Sequence, residues 1–265
     1  MRPPLGPDTE AERRHRHERW LIGSQSKEAV LQSTRSPIVI GKSGATVFRV
    51  TREDGVQWIE KSGLASDVSV EAGVMRWCAG HLPVPEVLAV EAGVLAMSAL
   101  PGVNLTEAAM ECAVALTADA LHLIHSMAIA GCPFRADWVT RLHQAEHRVR
   151  CGLVDERDFD EVNLGRTAAD ILAELQSLPP LPPVSRFTHG DACLPNFLTQ
   201  DGLLTGIVDL GGAGVGHPAQ DWALALRSMR NNFGSEAEQS LRKHVPQHCE
   251  DSALLRRFLL LDELF

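Results

Sequence analysis

Two polar motifs joined by a predicted hairpin constrain this chain more than any other feature of its sequence. The first runs from His189 to Asn196 (HGDACLPN), and the second, Asp209-Leu-Gly, follows it. Between them the pattern predicts strands at 196–199 and 203–209 around an Asp-Gly turn. Because the strands of a hairpin run antiparallel, Asn196 at the start of one lies near Asp209 at the end of the other.

These motifs bring three oxygen-bearing side chains to one end of the hairpin. Asn196 and Asp209 offer the oxygen ligands that Mg²⁺ prefers, and Asp191 can accept a proton from an attacking hydroxyl. The spacing is that of the catalytic loop and Asp-x-Gly motif of kinase-type phosphoryl transfer. Each of these residues alone could equally be a turn residue, but their combined spacing favours the catalytic interpretation.

The first hundred residues are predicted to form a small, mainly antiparallel sheet with one helix. Hydrophobic periodicity favours a helix over 67–79, with Val70, Val74 and Trp77 or Cys78 on its buried face. The strands are predicted at 38–40, 47–50, 56–61, 87–90 and 94–97.

This sheet supplies further parts of a nucleotide-binding site. Kinase-type enzymes cover the phosphates with a Gly-rich hairpin and contact them with a Lys on the third strand. Ser43, in the turn between the first two strands, and Lys61, at the end of the third, fit these roles. Glu71, early in the helix, can form the ion pair that holds Lys61 extended.

A P-loop is the competing interpretation of Gly41-Lys42-Ser43. That motif requires a Gly five residues before the Gly-Lys pair, a loop between them and a helix after them. Here the first position is Ser36, and strands are predicted both before and after the turn. The hairpin interpretation is therefore preferred.

The remainder of the chain is predicted to be mainly helical, which gives an α+β fold. We expect a flexible or helical leader at 1–20, an N-terminal nucleotide-binding lobe at 21–99, a hinge at 100–102 and a catalytic, substrate-binding lobe at 103–265. The helices are predicted at 107–128, 136–151, 167–177, 219–231, 235–243 and 251–263.

Composition excludes several classes of protein. The 25 Lys and Arg against 34 Asp and Glu give a net charge of −9, which argues against a nucleic-acid binder and suits a cationic substrate. No apolar run approaches the ~20 residues needed to span a bilayer, and the charged N-terminus is not a secretory signal. The six scattered cysteines predict free, mostly buried thiols in a reducing compartment. A cytoplasmic protein without a membrane or nucleic-acid partner is expected.

On these residues the sequence resembles the aminoglycoside phosphotransferases, most closely the 3′ type. The catalytic-loop motif at 189–196, Val-Asp-Leu-Gly at 208–211 and Leu-Asp-Glu-Leu-Phe at 261–265 are the strongest markers. Weaker ones are Leu-Pro-Gly at 100–102, Leu-His-Leu-Ile-His at 121–125, Cys-Pro-Phe at 132–134 and the acidic run at 152–161.

The resemblance implies a bilobal protein-kinase-like fold with ATP between the lobes and an aminoglycoside on the C-terminal lobe. Asp191 would be the catalytic base, Asn196 and Asp209 the Mg²⁺ ligands, and Lys61 the clamp on the α- and β-phosphates. Adenine would pair with backbone groups near Ser98 and Leu100. The antibiotic would contact Asp191 and a set of further residues: Asp158, Asp160, Glu161, Arg227, Asp262, Glu263 and Phe265.

The C-terminal acids also point to a cationic ligand on physical grounds. The predicted helix over 251–263 ends in Asp262 and Glu263, whereas the negative end of a helix dipole favours cations. Acids at that position suggest an external cation, although a solvated tail is the alternative.

Three residues depart from the family pattern. The family usually has Arg where this chain has Gly212, and often has acids where this chain has Ser228 and Asn231. These departures leave the catalytic residues intact and put the substrate range in question.

Several functions therefore stand beside one another. The preferred one is a monomeric, ATP-dependent enzyme that inactivates aminoglycosides by phosphorylating a sugar hydroxyl, most simply the 3′-hydroxyl. The alternatives are transfer to the 3″-hydroxyl of streptomycin-like drugs, transfer to another small metabolite, and a nucleotide-binding pseudokinase. The intact set of Lys61, Asp191, Asn196 and Asp209 argues against the pseudokinase.

Overall fold

The computed structural model describes residues 33–38, 45–91 and 93–265. These residues divide into two compact units. The first holds the described residues up to Ala72 together with Pro85–Ala99, and the second holds Gly73–Val84 together with Leu100–Phe265. The leader predicted at 1–20 and the turn that carries Ser43 lie outside the described residues.

The first unit is built on a five-stranded antiparallel sheet within the described residues. Its spatial order is β1-β2-β3-β5-β4. Gly55 closes the turn between the second and third strands by donating its N–H to Arg52 O at 2.9 Å. The bounds are β1 Ser33–Pro37, β2 Thr46–Arg52, β3 Gln57–Ser62, helix α1 Ala65–Cys78, β4 Val87–Glu91 and β5 Val94–Ser98.

Two predictions in this unit are wrong in detail. The first strand ends at Pro37, so Ile38 lies outside it, and Val39 and Ile40 fall outside the described residues. This edge strand is polar and mostly exposed, and so lacks an apolar pattern. In α1, Val70 is 46% exposed. The buried stripe instead passes through Val68 and Glu71, because Glu71 turns toward the sheet to meet Lys61.

The second unit is mainly helical. Its helices are α2 Met110–His125, α3 Trp138–Arg150, α4 Ala168–Ser177, α5 Ala219–Phe233, α6 Ser235–Arg242 and α7 Ser252–Asp262. Side-chain caps mark several starts at the predicted places. Asp137 accepts from Thr140 N at 3.1 Å before α3, and Thr167 and Asp170 form a reciprocal capping box at α4. The six helices predicted for this region are confirmed, with ends shifted by a few residues.

Two small sheets accompany these helices, each of three strands among the described residues. One has the order β10-β9-β6 and the other β7-β11-β8. Of these strands, only those of the β9–β10 hairpin were predicted. The others have two or three residues, too few to show the alternation of apolar and polar residues that predicts a strand. Their bounds are β6 Val103–Asn104, β7 Arg135–Ala136, β8 Arg186–Thr188, β9 Phe197–Gln200, β10 Leu203–Ile207 and β11 Gly214–Gly216.

Helix α5 forms the centre of this unit. It packs against α2, α6 and α7, and Trp222 and Leu224 on it are fully buried. Burying a large apolar side chain contributes about 1.5–3 kcal/mol, so α5 is a stable base for the loops that rest on it. All six cysteines are free, as predicted, but only Cys78 and Cys249 are buried. In the part of the chain that the structure describes, no helix is both long and apolar enough to cross a membrane.

His217 lies directly before α5 and is 4% exposed. Its Nδ1 accepts a hydrogen bond from Ala219 N at 3.2 Å, so the neutral ring helps to cap the helix. Burial, followed by the nearby His248 and Arg257, lowers the pKa of His217 from 6.5 to about 4.

We therefore expect His217 to make the fold sensitive to acid. Between pH 6.5 and about 4 the unfolded chain binds a proton at His217 that the folded chain does not, so stability falls as pH drops through this window. Urea denaturation across these pH values should show a flatter curve for His217→Gln. His143→Gln, at an exposed position of α3, is the control. Identical pH dependence in wild type and His217→Gln would contradict this role.

Candidate active site

In the first unit, Lys61 and Glu71 form the ion pair that the sequence predicts. Lys61 lies in β3, paired with Val47 on one side and Leu95 on the other, which fixes its place in the sheet. Its Nζ lies 2.8 Å from Glu71 Oε2, and both side chains are largely buried. A buried Lys needs such a partner, because an unpaired buried charge is strongly destabilising. The pair holds the ammonium group at the end of β3.

In the second unit, the β9–β10 hairpin brings the two motifs together, but β9 begins at Phe197 and β10 ends at Ile207, so Asn196 and Asp209 lie just outside the strands predicted to hold them. Phe197 pairs with Ile207, and Val208 N donates to Asn196 O at 2.9 Å. Asn196 therefore lies opposite Val208, and Val208 directly precedes Asp209 in the chain.

The amide of Asn196 holds Asp191. Its Nδ2 donates to Asp191 O at 2.9 Å and to Asp191 Oδ2 at 3.0 Å. Since both contacts use the amide nitrogen, Oδ1 is the Asn196 atom that can ligate a cation. Asn196 is 8% exposed and Asp191 is half-buried, so the carboxylate is held in place and still reachable.

Asp209 adopts a backbone conformation that non-glycine residues rarely take. Its φ is 59°, in the left-handed region. Such conformations cost about 1–3 kcal/mol and are found most often at functional sites. The position presents a carboxylate two residues after the end of β10.

The donor set formed by Asn196 and Asp209 fits Mg²⁺. An amide oxygen and a carboxylate are hard ligands, and Mg²⁺ usually takes only one or two carboxylates and fills its other positions with water and phosphate oxygens. These two side chains therefore suit a metal that is bound jointly with a phosphate group.

His189 connects the two motifs from beneath. It is fully buried, and its Nδ1 accepts from Asp191 N at 3.2 Å. Its Nε2 must then carry the proton, which it donates to Val208 O at 2.9 Å. The neutral imidazole ring thus lies between the backbone of Asp191 and the backbone of Val208, the residue before Asp209.

Asp221, on α5, anchors the catalytic loop and was not predicted. Its Oδ2 accepts from His189 N at 2.8 Å and its Oδ1 from Gly190 N at 2.9 Å. His125 Nε2, on α2, lies 2.9 Å from Oδ2. The sequence does carry a signal, since Asp221 directly precedes the apolar run Trp222–Leu226 of a predicted helix, and an acid beside a buried run needs buried partners.

The charge of Asp221 is stabilised by these partners. Burial alone raises the pKa of this fully buried carboxyl, but the hydrogen bond and charge of His125 and the amide of His189 lower it below its ordinary value. Asp221 therefore stays ionised.

Gly190 allows two backbone segments to touch. Its φ is +84°, and a Cβ built on it would lie 2.1 Å from Gly212 O, so any side chain would force the segments apart. The contact is not symmetrical: a Cβ on Gly212 would meet Gly190 at an ordinary 3.6 Å. Gly212, where the resemblance leads us to expect Arg, is thus not required by packing.

Arg227 joins two of the predicted antibiotic-binding acids. Its Nη1 lies 3.2 Å from Asp160 Oδ2, and its Nη2 pairs closely with Asp262 Oδ2. Burial raises the pKa of Asp262 above its ordinary range despite Arg227, and the charge of Asp191 adds to the rise. The guanidinium of Arg227 thus lies between the carboxylates of Asp160 and Asp262 and pairs with both.

The other predicted antibiotic contacts differ in their surroundings. Glu263 accepts from Asp160 N at 3.1 and 3.0 Å and from Asn163 Nδ2 at 2.7 Å, which makes it a support for the neighbouring loop. Asp158 and Glu161 are exposed on that loop. The ring of Phe265 is 39% exposed, and the Arg141 guanidinium carbon lies 3.9 Å from its centroid.

The two departures on α5 also have distinct places. Ser228 is buried and its Oγ accepts from Leu194 N at 3.0 Å, so it supports the turn after Asp191. Asn231 is exposed.

The residues predicted near adenine are Ser98 and Leu100. Ser98 ends β5, where its N–H donates to Glu86 O and its Oγ accepts from Glu86 N, both at 2.9 Å. Leu100 begins the second stretch of the second unit and covers Gly206 in β10. Since the amide of Ser98 is already paired, other backbone groups of this stretch are needed to bind a base.

Comparison with known proteins places this fold and site in a class. The family model described as "Phosphotransferase enzyme family" matches residues 34–248, and the chain belongs to that family of phosphotransferases.

Its relatives within this class include an aminoglycoside 3′-phosphotransferase from Escherichia coli. That protein is 31% identical over 240 residues, which are 85% of this chain and 88% of the relative. The crystal structure of an aminoglycoside-3′-phosphotransferase of type VIII matches with a TM-score of 0.77 and 27% identity, over 95% of this chain and 98% of the other.

A second solved structure is the aminoglycoside phosphotransferase APH(3″)-Id from Streptomyces rimosus in complex with ADP and streptomycin. It matches with a TM-score of 0.75 and 25% identity, over 87% of this chain and 92% of the other. The predicted α+β, protein-kinase-like fold is confirmed.

Asp221 provides a test of how the catalytic loop is held. We expect Asp221→Asn to reduce kcat at least about tenfold and to destabilise the fold by about 3–5 kcal/mol, because a buried charged group loses its matched partners. Chemical denaturation and steady-state kinetics measure the two effects. Asp119→Asn, at an exposed position of α2, is the control. A wild-type kcat in Asp221→Asn would show that the loop does not depend on this anchor.

Proposed function

We propose that this chain transfers the γ-phosphoryl group of ATP to the 3′-hydroxyl of an aminoglycoside and thereby inactivates the antibiotic. The observation that carries the proposal is the arrangement at the β9–β10 hairpin, where Asn196 Nδ2 binds the Asp191 carboxylate and Asn196 O accepts from Val208 N, next to Asp209. The matches to proteins named aminoglycoside 3′-phosphotransferase support both the substrate class and the position.

Asp191 acts as the catalytic base. A sugar hydroxyl oxygen forms a bond to the γ-phosphorus while the bond from that phosphorus to the β–γ bridging oxygen breaks, which releases ADP. The hydroxyl proton passes to the Asp191 carboxylate. The hydrogen bond from Asn196 Nδ2 orients this carboxylate before the reaction, so little rearrangement is needed.

The nucleotide and its metal are held by separate residues. Lys61, kept extended by Glu71, clamps the α- and β-phosphates. Asn196 and Asp209 would hold Mg²⁺, which would supply neutralisation of the charge on the phosphate oxygens. Adenine pairs with backbone groups near Ser98 and Leu100.

The antibiotic is held through its ammonium groups. The protein carries a net charge of −9, and the acids on the 158–161 loop and at 262–263 supply carboxylates. Each charge-assisted hydrogen bond contributes about 1.5–3 kcal/mol. An ammonium beside Asp262 would also stabilise the charged form of a carboxyl whose pKa burial raises.

Two further properties belong to this proposal. We expect the enzyme to be cytoplasmic, because ATP is its co-substrate, and we propose that it acts as a monomer without a nucleic-acid or membrane partner.

Transfer to the 3″-hydroxyl is the second candidate, because the structural match to the Streptomyces rimosus protein is nearly as good as that to the 3′ type. Coupled ADP-release kinetics over an aminoglycoside panel, with NMR of the product, separate the two. An aminoglycoside that lacks a 3′-hydroxyl should not be phosphorylated, whereas streptomycin turnover would favour the second candidate.

The base can be tested directly. Asp191→Asn should reduce kcat by at least ~10² while ATP binding changes little, because the proton acceptor is lost and the nucleotide contacts are not. Asp201→Asn, in the exposed hairpin turn, is the matched control. Near wild-type turnover in Asp191→Asn would remove this residue from the mechanism.

The metal ligands require a different measurement. We expect Asn196→Ala and Asp209→Asn to raise the Mg²⁺ concentration needed for half-maximal rate by about tenfold or more, since each removes a ligand or its charge. Mg²⁺ titrations of the rate at saturating ATP check this. Unchanged Mg²⁺ dependence in both variants would mean that the metal binds elsewhere.

A further inference from the structure

Arg148, near the end of α3, connects two parts of the chain that are far apart in sequence. Its Nε donates to Leu264 O at 2.8 Å. Its Nη2 donates to Phe265 O at 2.5 Å and to Leu153 O at 3.1 Å. One guanidinium thus binds backbone oxygens of two segments, which we call the acidic loop (residues 153–163) and the C-terminal segment (residues 262–265).

The C-terminal segment is held firmly by its apolar residues. Leu264 is fully buried. The ring of Phe265 lies against Arg141, two helical turns before Arg148 on α3, with the guanidinium carbon 3.9 Å from the ring centroid. Arg148 therefore fixes the acidic loop to a segment that is already anchored.

The acids of both segments depend on this arrangement. Asp158, Asp160 and Glu161 lie on the acidic loop, and Asp262 and Glu263 on the C-terminal segment. Glu263 ties the two by accepting from Asp160 N, and Arg227 ties them by pairing with Asp160 and Asp262. Arg148 adds the tie at the start of the loop, where neither of the other two reaches.

We propose that Arg148 is a positioning residue for antibiotic binding, because it sets the separation between the carboxylates of the acidic loop and those of the C-terminal segment. This inference rests on the proposed function. Arg148 touches no substrate in this role. It acts through the backbone of Leu153, Leu264 and Phe265 on the acids that bind the substrate ammonium groups.

The charge of Arg148 and its positioning contacts predict opposite changes in the KM for antibiotic when this arginine is replaced. Loss of a cation near an acidic site strengthens its attraction for a polyammonium ligand, so a purely electrostatic role predicts a lower KM for the antibiotic. Loss of the tie frees the start of the acidic loop and shifts the carboxylates that the loop carries, which raises that KM. The direction of the change therefore separates the two roles.

The experiment compares Arg148→Ala, Arg148→Lys and Arg150→Ala. Arg150 is exposed in the same last turn of α3, so its removal matches the loss of charge and of the helix-end cation without breaking the tie. Steady-state kinetics on an aminoglycoside that the wild type phosphorylates give KM for antibiotic and for ATP, and kcat. Thermal melting reports on the fold.

We expect Arg148→Ala to raise the KM for antibiotic at least about tenfold, since a displacement on the order of 1 Å in a site can cost ~10²-fold. The KM for ATP should stay within about twofold of wild type. Arg148→Lys should recover part of the loss, because an ammonium can still donate to these carbonyls but lacks the planar fork that reaches all three. Arg150→Ala should leave the KM for antibiotic unchanged or slightly lower.

Three results would overturn the inference. They are an antibiotic KM in Arg148→Ala equal to or below wild type, a parallel rise in both KM values with a lower melting temperature, and an equal effect in Arg150→Ala. Failure of the proposed function has a different signature, because the wild type would then neither phosphorylate nor, by calorimetry, bind any aminoglycoside in the panel.

Discussion

The ionised carboxylate of Asp221 is the interaction on which the rest of the site depends. It lies fully buried in α5 and takes the N–H groups of His189 and Gly190, the two residues directly before Asp191. Without it, two backbone donors would be left unsatisfied in the core, which costs about 1–3 kcal/mol each. The catalytic loop is therefore held by hydrogen bonds to α5, a helix in the most buried part of the second unit. The side chain of Asp191 itself stays partly exposed.

The acidic surface that we assign to the antibiotic is organised by arginines. Arg227 lies between Asp160 and Asp262. Arg148 binds the backbone oxygens of Leu153 and Leu264, on the two segments that carry these acids. A cluster of carboxylates without such cations would repel itself and lose its shape. The cations keep the acids close together before a ligand arrives, and they reduce the number of ammonium groups that the surface can neutralise.

Local patterns were sufficient to predict much of this protein. The Asp-Gly turn and the strands around it predicted the β9–β10 hairpin, and the kinase-type arrangement of a third-strand Lys followed by a helix predicted the Lys61–Glu71 ion pair. Contacts between distant elements could not be predicted in the same way. His125 meets Asp221 across 96 residues, and Asp160 meets Glu263 across 103, and no periodicity records such pairs. Ser228, which differs from the family pattern, proves to support the turn after Asp191.

The contact between Gly190 and Gly212 has a consequence for how enzymes of this kind can diversify. One partner is locked, because a side chain at Gly190 would collide with the Gly212 carbonyl, while the other has room for a side chain. Of the two glycines, only Gly212, which follows the Asp209 motif, can therefore be replaced without moving the backbone. A substitution at that position adds a side chain next to the Asp209 motif without displacing Gly190, and Asp191 directly after Gly190 therefore keeps its place.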